Sequence, residues 1–495
     1  VLITVLDANG KLPGERKEYI RYLMEEKLAG EKYMTKKAKA FGPATCPLCE
    51  SDAVTLLPNA LNGAGLNFKN VDREGAFPGL DRAMAWKSFA LCANCADLLY
   101  VYKFHCLRKL GPKRNRIPFT ANVAGQRALI IPCTSLDASA RQKMLTDVAH
   151  YIENLPEDVS DDEENLLDIL KDEQALLNIT FLWADLGQSI DKVRGVLTDV
   201  PPTRLRQLSS FNAAAASWQH AVFPQIPVTS GKLGLAPDLA LRGLHNLFWR
   251  PGGKKVQNSN NSRQLFQTKR AIVAAVYHGT SIPVERFWHE LMVTARCYYL
   301  QSISNEKGVW GLLQEGQSKK GPYLTAAGWI RSVTWWLYYF RRLEVMRMEQ
   351  SYFVPVMESL KPYFGPESGI DTEAKAYAYL LGILYGRLLE VQGAKGVNVG
   401  ANALTWLKRL TLRGKDLPEL YIKVRGKLLS YGSERSGKVR ELIEEIGRLG
   451  VKLGDPIDLD QTQTNYYLLL GQSLARSVLK KDESQANNQE GKNDG

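Results

Sequence analysis

Three observations predict an α+β protein, predominantly helical. Apolar residues recur at helical spacing through most of the second half of the chain. Short β-rich apolar segments are confined to the first half, and four cysteines stand there in two C-x2-C pairs. The expected architecture is a mixed N-terminal region with a four-cysteine insertion, a mixed then helical centre, and a C-terminal helix bundle. With 495 residues and 45% apolar content, the chain can bury several cores.

Taken in order, RKEYIRYLMEEKLAGEKYMTKKAK at 16–39 places Tyr19, Tyr22, Leu23 and Leu28 at helical spacing among charges, which predicts an amphipathic helix. The first cysteine pair, in CPLCE at 46–50, lies in a turn flanked by glycine and proline. The second pair is expected at the start of a helix, KSFALCANCADLLYVYKFHCLRKL, that ends near Gly111 and Pro112. RALIIPC predicts a short strand, and 138–153 a helix. The run EDVSDDEE, six carboxylates in eight positions, reads as a solvated loop or domain boundary.

NITFLWADLGQSIDKVRGVL is expected to pass from strand into helix, with the prolines of DVPPTRL ending that helix. WRPGGKKVQNSNNSRQLF from 249 is too polar for core and predicts a loop, after which the pattern is almost entirely helical. The tail DESQANNQEGKNDG cannot bury apolar surface and is expected to be disordered. These boundaries divide the chain into a region at 1–156 carrying the cysteine insertion at about 42–110, a central region at 157–370, a bundle at 371–481 and a tail at 482–495.

Cys46, Cys49, Cys92 and Cys95 form the one strong motif. Two residues between cysteines let both sulfurs of a knuckle reach one tetrahedral ion near 2.3 Å. Four thiolates close every coordination position, so the expected cofactor is a structural zinc whose binding energy becomes folding energy. A redox C-x-x-C and unliganded buried thiols are the competing readings. His105 and Cys106 are possible substitute ligands, though the quartet is complete without them.

Other motifs fail on inspection. GSERSGKV matches G-x4-G-K, but Val439 stands where a phosphate-binding loop needs Ser or Thr, and no buried strand precedes it. His289 and Glu290 begin a zincin-like motif that Val293 breaks. Cys297, beside a helix of aromatics, reads as core rather than nucleophile, and no set of catalytic residues is predicted. No apolar run is long enough to span a bilayer. The start VLITVLDANG carries neither methionine nor a signal pattern, which points to trimming rather than secretion. Seven cysteines, an odd number, fit a reducing cytoplasm better than a disulfide framework.

The formal charge of +12 suits a polyanionic partner. Residues 401–440 hold ten Lys or Arg against three acids. A solvated helical face and a groove tracking a nucleic-acid backbone both account for them. Lys113, Arg114 and Arg116 form a second basic turn. Lys254, Lys255 and Arg263 flank the amide-rich loop, whose Gln257, Asn258, Asn260 and Asn261 are of the types that read base edges. TWWLYYF at 334–340 reads as buried core in preference to an interface patch.

Four stretches together resemble the large subunit of the type I-B CRISPR interference complex, Cascade. They are the CPLC knuckle; NFKNVDREGAFPGL leading through WKSFALCANCADLL; FLWADLGQSIDKVRGVLTDVPPTRL; and the pair YLLGILYGRLL and TNYYLLLGQSLAR. The resemblance implies a non-catalytic, RNA-binding and DNA-binding scaffold of antiviral defence. Its implied partners are the guide CRISPR RNA, target double-stranded DNA and its displaced single strand, other Cascade subunits including small subunits, and the helicase-nuclease. It implies recognition of the target-adjacent duplex motif (PAM recognition), which we assign to Gln257, Asn258, Asn260 and Asn261 with Lys254, Lys255 and Arg263 on phosphate. Lys408, Arg409, Arg413, Lys415, Lys423 and Arg425 are then expected to hold the displaced strand. A guide RNA endonuclease stabilised by zinc is the alternative. The resemblance also implies a separately translated small subunit, with Met346, Met348 and Met357 as candidate starts.

Overall fold

The computed structural model describes residues 7–12, 15–22, 40–63, 84–106, 120–134, 139, 143, 167–168, 170–172, 176–186, 190–215, 217–224, 226, 239–241, 243–248, 260–304, 316–318, 321–323, 326–347, 351–397, 403–435 and 437–479. The helix expected over 138–153 (apart from Ser139 and Lys143), the acidic run at 157–164 and the tail at 482–495 lie outside these residues. The chain divides into two compact units, one of Val1–Asn122 with Gln126–Pro202 and one of Val123–Gly125 with Thr203–Gly495. The architecture is α+β and predominantly helical, as the spacing of apolar residues predicts.

In the first unit, helix α1 (Lys17–Tyr22) buries no residue, and Tyr19 and Tyr22 are exposed. Strands β1 (Phe41–Ala44) and β2 (Val54–Leu56) pair antiparallel around the first knuckle, followed by α2 (Ala60–Gly63), α3 (Trp86–Phe89) and α4 (Ala93–Cys106). The second cysteine pair does not lie inside one continuous helix. Ala90 is extended, and Leu91 pairs with Leu57 through two backbone hydrogen bonds of 2.8 and 3.4 Å. That bridge breaks the helix and puts Cys92 just ahead of α4, with Cys95 in its first turn.

A four-stranded sheet follows in the order β3 (Thr120–Val123), β4 (Gln126–Thr134), β5 (Leu176–Leu186) and β6 (Ile190–Val200). RALIIPC is strand, as expected. SIDKVRGVL is not a helix: it is β6, antiparallel to β5. Its valines at 193 and 196 mimic helical spacing, but buried Phe181, Trp183 and Ile179 stand opposite buried Leu197, Gly195 and Val200, and β-branched side chains fit that pleat. The prolines therefore end a strand, and Pro202 opens helix α5 (Pro202–Ala215), where its missing N–H costs nothing.

The second unit continues with α6 (Gly243–Leu247), α7 (Asn260–His278), α8 (Val284–Ser304), the short hairpin β7 (Gly316–Ser318) and β8 (Gly321–Tyr323), and α9 (Ala326–Arg342). Trp335, Trp336, Tyr338, Tyr339 and Phe340 of α9 are all buried, so the aromatic stripe is core. The bundle consists of α10 (Glu373–Ala394), α11 (Leu417–Ser430), α12 (Gly437–Leu453) and α13 (Gln461–Leu479). Helix α10 is buried nearly all round, as a central helix must be. Helix α13 packs on α10 and also on α9 and α8: the hydroxyls of Tyr466 and Thr334 are 2.9 Å apart, and the Tyr466 ring lies 4.8 Å from that of Trp288. A chain beginning at Met346, Met348 or Met357 would lack both of those helices and bare this face of α13.

The α10–α13 packing is set by glycine. A Cβ on Gly471 would stand 1.9 Å from the Tyr379 carbonyl oxygen, one on Gly382 2.1 Å from that of Leu468, and one on Gly386 2.5 Å from the Ala475 methyl. Gly471→Ala is expected to lower stability by at least about 3 kcal/mol, since backbone cannot yield as a side chain does. Gly426→Ala, within α11 with nothing inside 4 Å of the new methyl, is expected to raise it by up to ~1 kcal/mol. Thermal unfolding of the two variants checks the opposite signs.

Candidate metal centre and basic surface

Each pair of cysteines reaches the centre from a different kind of local structure. The first knuckle is a tight turn: the Glu50 N–H donates to the Cys46 carbonyl, the Cys46 N–H donates to the Ser51 carbonyl, and Glu50 and Ala53 take positive φ. The Leu57–Leu91 bridge brings the second pair against it. The four sulfurs then lie within 4.8 Å of one another, with Cys46 Sγ 3.9 Å from Cys95 Sγ and Cys49 Sγ 3.7 Å from Cys92 Sγ. Tetrahedral coordination at about 2.3 Å requires sulfurs about 3.8 Å apart, so the donor set and its spacing fit one thiolate-bound ion. No ligand position is left for water, so such an ion is structural.

The thiols are electrostatically unequal. Burial opposes the Cys46 thiolate, but the N–H groups of Cys92, Cys49 and Leu48 directed at its sulfur bring its pKa down to about 6. At Cys49 the side chain and backbone of Ser51 favour the thiolate, with Ser51 Oγ 3.2 Å from the sulfur. Burial raises Cys92 and Cys95. The hydrophobic cluster round them is small, chiefly Leu56, Leu57, Leu61 and Leu91, with partly buried Val54, Trp86 and Leu99 at its edge. His105 and Cys106 are ten and eleven residues past Cys95 on α4, about 15 Å further along the axis, too far to share the ion.

The sequence-predicted nucleic-acid residues fall into three groups. Lys113, Arg114, Arg116, Lys254, Lys255, Gln257 and Asn258 lie outside the described residues. Asn260, Asn261 and Arg263 are not in a loop. They open α7, whose buried face begins at Leu265 and continues through Thr268, Lys269, Ile272, Val273 and Val276. Arg263 is exposed. The third group, Lys408, Arg409, Arg413, Lys415, Lys423 and Arg425, is exposed on one region of the bundle.

Pairing separates that third group. Lys408 Nζ is 2.8 Å from Asp416, Lys423 is 2.6 Å from Glu419, and Arg425 is 3.6 Å from Glu434. Its hydrogen bond to Asp416 raises the Lys408 pKa; partial burial works against the Asp416 carboxylate, but Lys408 and the Arg413 N–H outweigh it and hold the pKa low. Arg409, Arg413 and Lys415 make no salt bridge to any described residue.

Sequence reasoning missed the backbone here. Lys408, Arg409 and Leu410 have φ of 45°, 55° and 59°, a run of left-handed residues costing about 1–2 kcal/mol each. The carbonyl of Leu410 accepts from Arg296 Nε, and that of Leu412 from the buried Asn465. No glycine or asparagine marked the turn. The G-x4-G-K segment opens α12 and is preceded by helix α11, not by a strand. Cys297 is half-buried on α8, and among the described residues no helix is long and apolar enough to cross a membrane.

Four cysteines placed to hold one metal ion in one unit, and an exposed cationic surface on a helical bundle in the other, are the two candidate sites among the described residues. Comparison with known families supplies the rest. Residues 43–200 match the central domain of CRISPR-associated protein TM1802 (cas_TM1802), and residues 253–486 match the C-terminal domain of the same protein. The chain belongs to this CRISPR-associated TM1802 family. No curated protein matches it.

The metal reading has a pH signature. Zinc must displace protons from Cys92 and Cys95, whose pKa values are raised, so affinity is expected to rise with pH, by roughly tenfold per unit for each protonated thiol. Chelator competition at two pH values checks it, with one metal per chain expected in reduced protein and a loss of that metal in Cys46→Ser.

Proposed function

We propose that the chain is the non-catalytic large subunit of a type I-B RNA-guided interference complex, Cascade. The observation that carries this reading is the pair of TM1802 matches, which lie in chain order and together cover the metal knot, the β5–β6 hairpin and the helical bundle. In it, guide pairing reads the target sequence, and the protein reads only the short adjacent duplex motif and the nucleic-acid backbone. The charge fits: the chain carries a formal excess of twelve cations.

The metal knot has a structural role, since its coordination sphere has no open position for a reacting water. Gln257, Asn258, Asn260 and Asn261 are assigned to the duplex motif, with Lys254, Lys255 and Arg263, and Lys113, Arg114 and Arg116, on phosphate. The bundle holds the displaced strand. Its partners are the guide RNA, the target duplex, the other Cascade subunits and the helicase-nuclease that the complex recruits, in the cytoplasm. A guide-processing enzyme would need a general acid and base within reach of one phosphate, and the sequence offers no His pair or carboxylate cluster in a plausible site for that reading.

Affinity purification of the chain from its host, with sequencing of bound RNA, is expected to return guides sharing one repeat-derived 5′ handle. Recovery of no RNA, or of RNA without a common end, rejects membership of a guide complex. Cleavage of labelled guide precursor by the purified chain rejects the non-catalytic role. An Asn258→Ala, Asn261→Ala double variant is expected to lose discrimination between duplexes with and without the adjacent motif; unchanged discrimination rejects that assignment.

A further inference from the structure

The segment from Leu407 to Asp416, between α10 and α11, has a pattern of its own. Leu407, Leu410, Leu412 and Gly414 are buried, while Lys408, Arg409, Thr411, Arg413 and Lys415 are exposed. The inward residues are tied down at nearly every step. Tyr385 of α10 donates to the Ala403 carbonyl at 3.0 Å, Arg296 of α8 to that of Leu410 at 3.1 Å and Asn465 of α13 to that of Leu412 at 2.9 Å. The Gly414 N–H donates to the Leu459 carbonyl, and its Cα lies so close that a Cβ would stand 2.2 Å from the Ile457 carbonyl oxygen. A left-handed run at 408–410 would relax in an isolated loop; here three helices hold it.

The outward residues differ from the cations of α11. Lys423 and Arg425 face Glu419 and Glu434, and Lys408 faces Asp416, whereas Arg409, Arg413 and Lys415 make no salt bridge among the described residues, Lys415 acting on Asp416 only through space. A cation already paired gains little from a phosphate, because it must first give up its carboxylate. An unpaired cation on fixed backbone gains the full interaction and loses little freedom.

We infer that this tethered strap, rather than helix α11, is the element of the bundle that grips a single-stranded phosphodiester backbone, through Arg409, Arg413 and Lys415. Asn465, which is fully buried and hydrogen-bonds the strap at Leu412, is the residue that positions it. The inference rests on the nucleic-acid reading above and deepens it. Binding is to phosphate and independent of sequence, since the exposed row offers guanidinium and ammonium groups and a single hydroxyl. Guanidinium forks match phosphate oxygens in pairs.

The test is binding of the full chain to a thymidine homopolymer over a range of salt concentrations. The triple variant Arg409→Ala, Arg413→Ala, Lys415→Ala is expected to lower the log–log salt slope by about two units, at about 0.7 for each single-strand phosphate that is no longer neutralised. The Lys423→Ala, Arg425→Ala pair is expected to leave the slope unchanged. Asn465→Asp, which keeps the shape and loses the donor, is expected to reduce the slope in folded protein, an effect that lower stability alone does not produce. If the α11 pair lowers the slope as much as the strap triple, or the triple leaves it intact, the strap is not the grip, although the nucleic-acid reading survives. If the parent chain does not bind the oligonucleotide, both fail. If the triple instead abolishes binding of polyglutamate and spares the oligonucleotide, the occupant is an acidic protein and the inference is overturned.

Discussion

The second unit depends on one constraint, the close approach of the α10 and α13 backbones at Gly382, Gly386 and Gly471. Helices usually pack with their axes 8–10 Å apart, and glycine at facing positions lets them come closer and exclude everything between. Because α13 is fixed this tightly, its other side chains become reliable anchors. Tyr466 reaches Thr334 of α9, Tyr467 donates to the Gly369 carbonyl, and Asn465 holds the strap at Leu412. Helix α10 contributes through Tyr385, which holds Ala403. The exposed cations therefore stand on a framework whose rigidity starts several residues away, at a helix crossing that carries no charge.

The first unit meets a different problem in a different way. Between Phe41 and Cys106 the described chain has short strands, short helices and a small apolar cluster, too little to offset the entropy of ordering it. A metal ion held by the four sulfurs, which lie within 4.8 Å of one another, would supply what burial cannot. Two of those thiols are held towards the anionic form by backbone N–H groups or Ser51, and two are pushed away from it by burial. Metal binding would resolve that conflict, since an ion would replace the protons that burial retains.

The family assignment fits both solutions. TM1802 proteins are CRISPR-associated, and the matches cover the metal knot and the bundle alike. On the proposed reading, a subunit that leaves sequence reading to base pairing would have no need of a reactive centre. It would need surfaces that stay in place, and a glycine-locked bundle, and a knuckle locked by a metal if one binds, are two ways of providing them.

The sequence by itself determined what depends on local pattern and on side-chain chemistry. C-x2-C spacing picked out the four cysteines that the fold brings together, apolar periodicity placed the bundle helices, and the aromatic run at 334–340 read correctly as core. Local pattern failed where a distant partner chose between two local solutions. Residues 190–200 have valines that suit either period, and only β5 alongside made them a strand. Asn260 and Asn261 looked like loop, but they form the first turn of α7, whose buried face begins at Leu265. Ten cations at 401–440 looked equivalent in sequence; acids four to nine residues along the chain neutralised some, and Asn465 and Arg296, from helices remote in sequence, hold the segment that carries Arg409 and Arg413, with its left-handed turn that no local residue announces. Ligand identity is a property of residues, but whether a charge is available depends on which neighbours the fold brings to it.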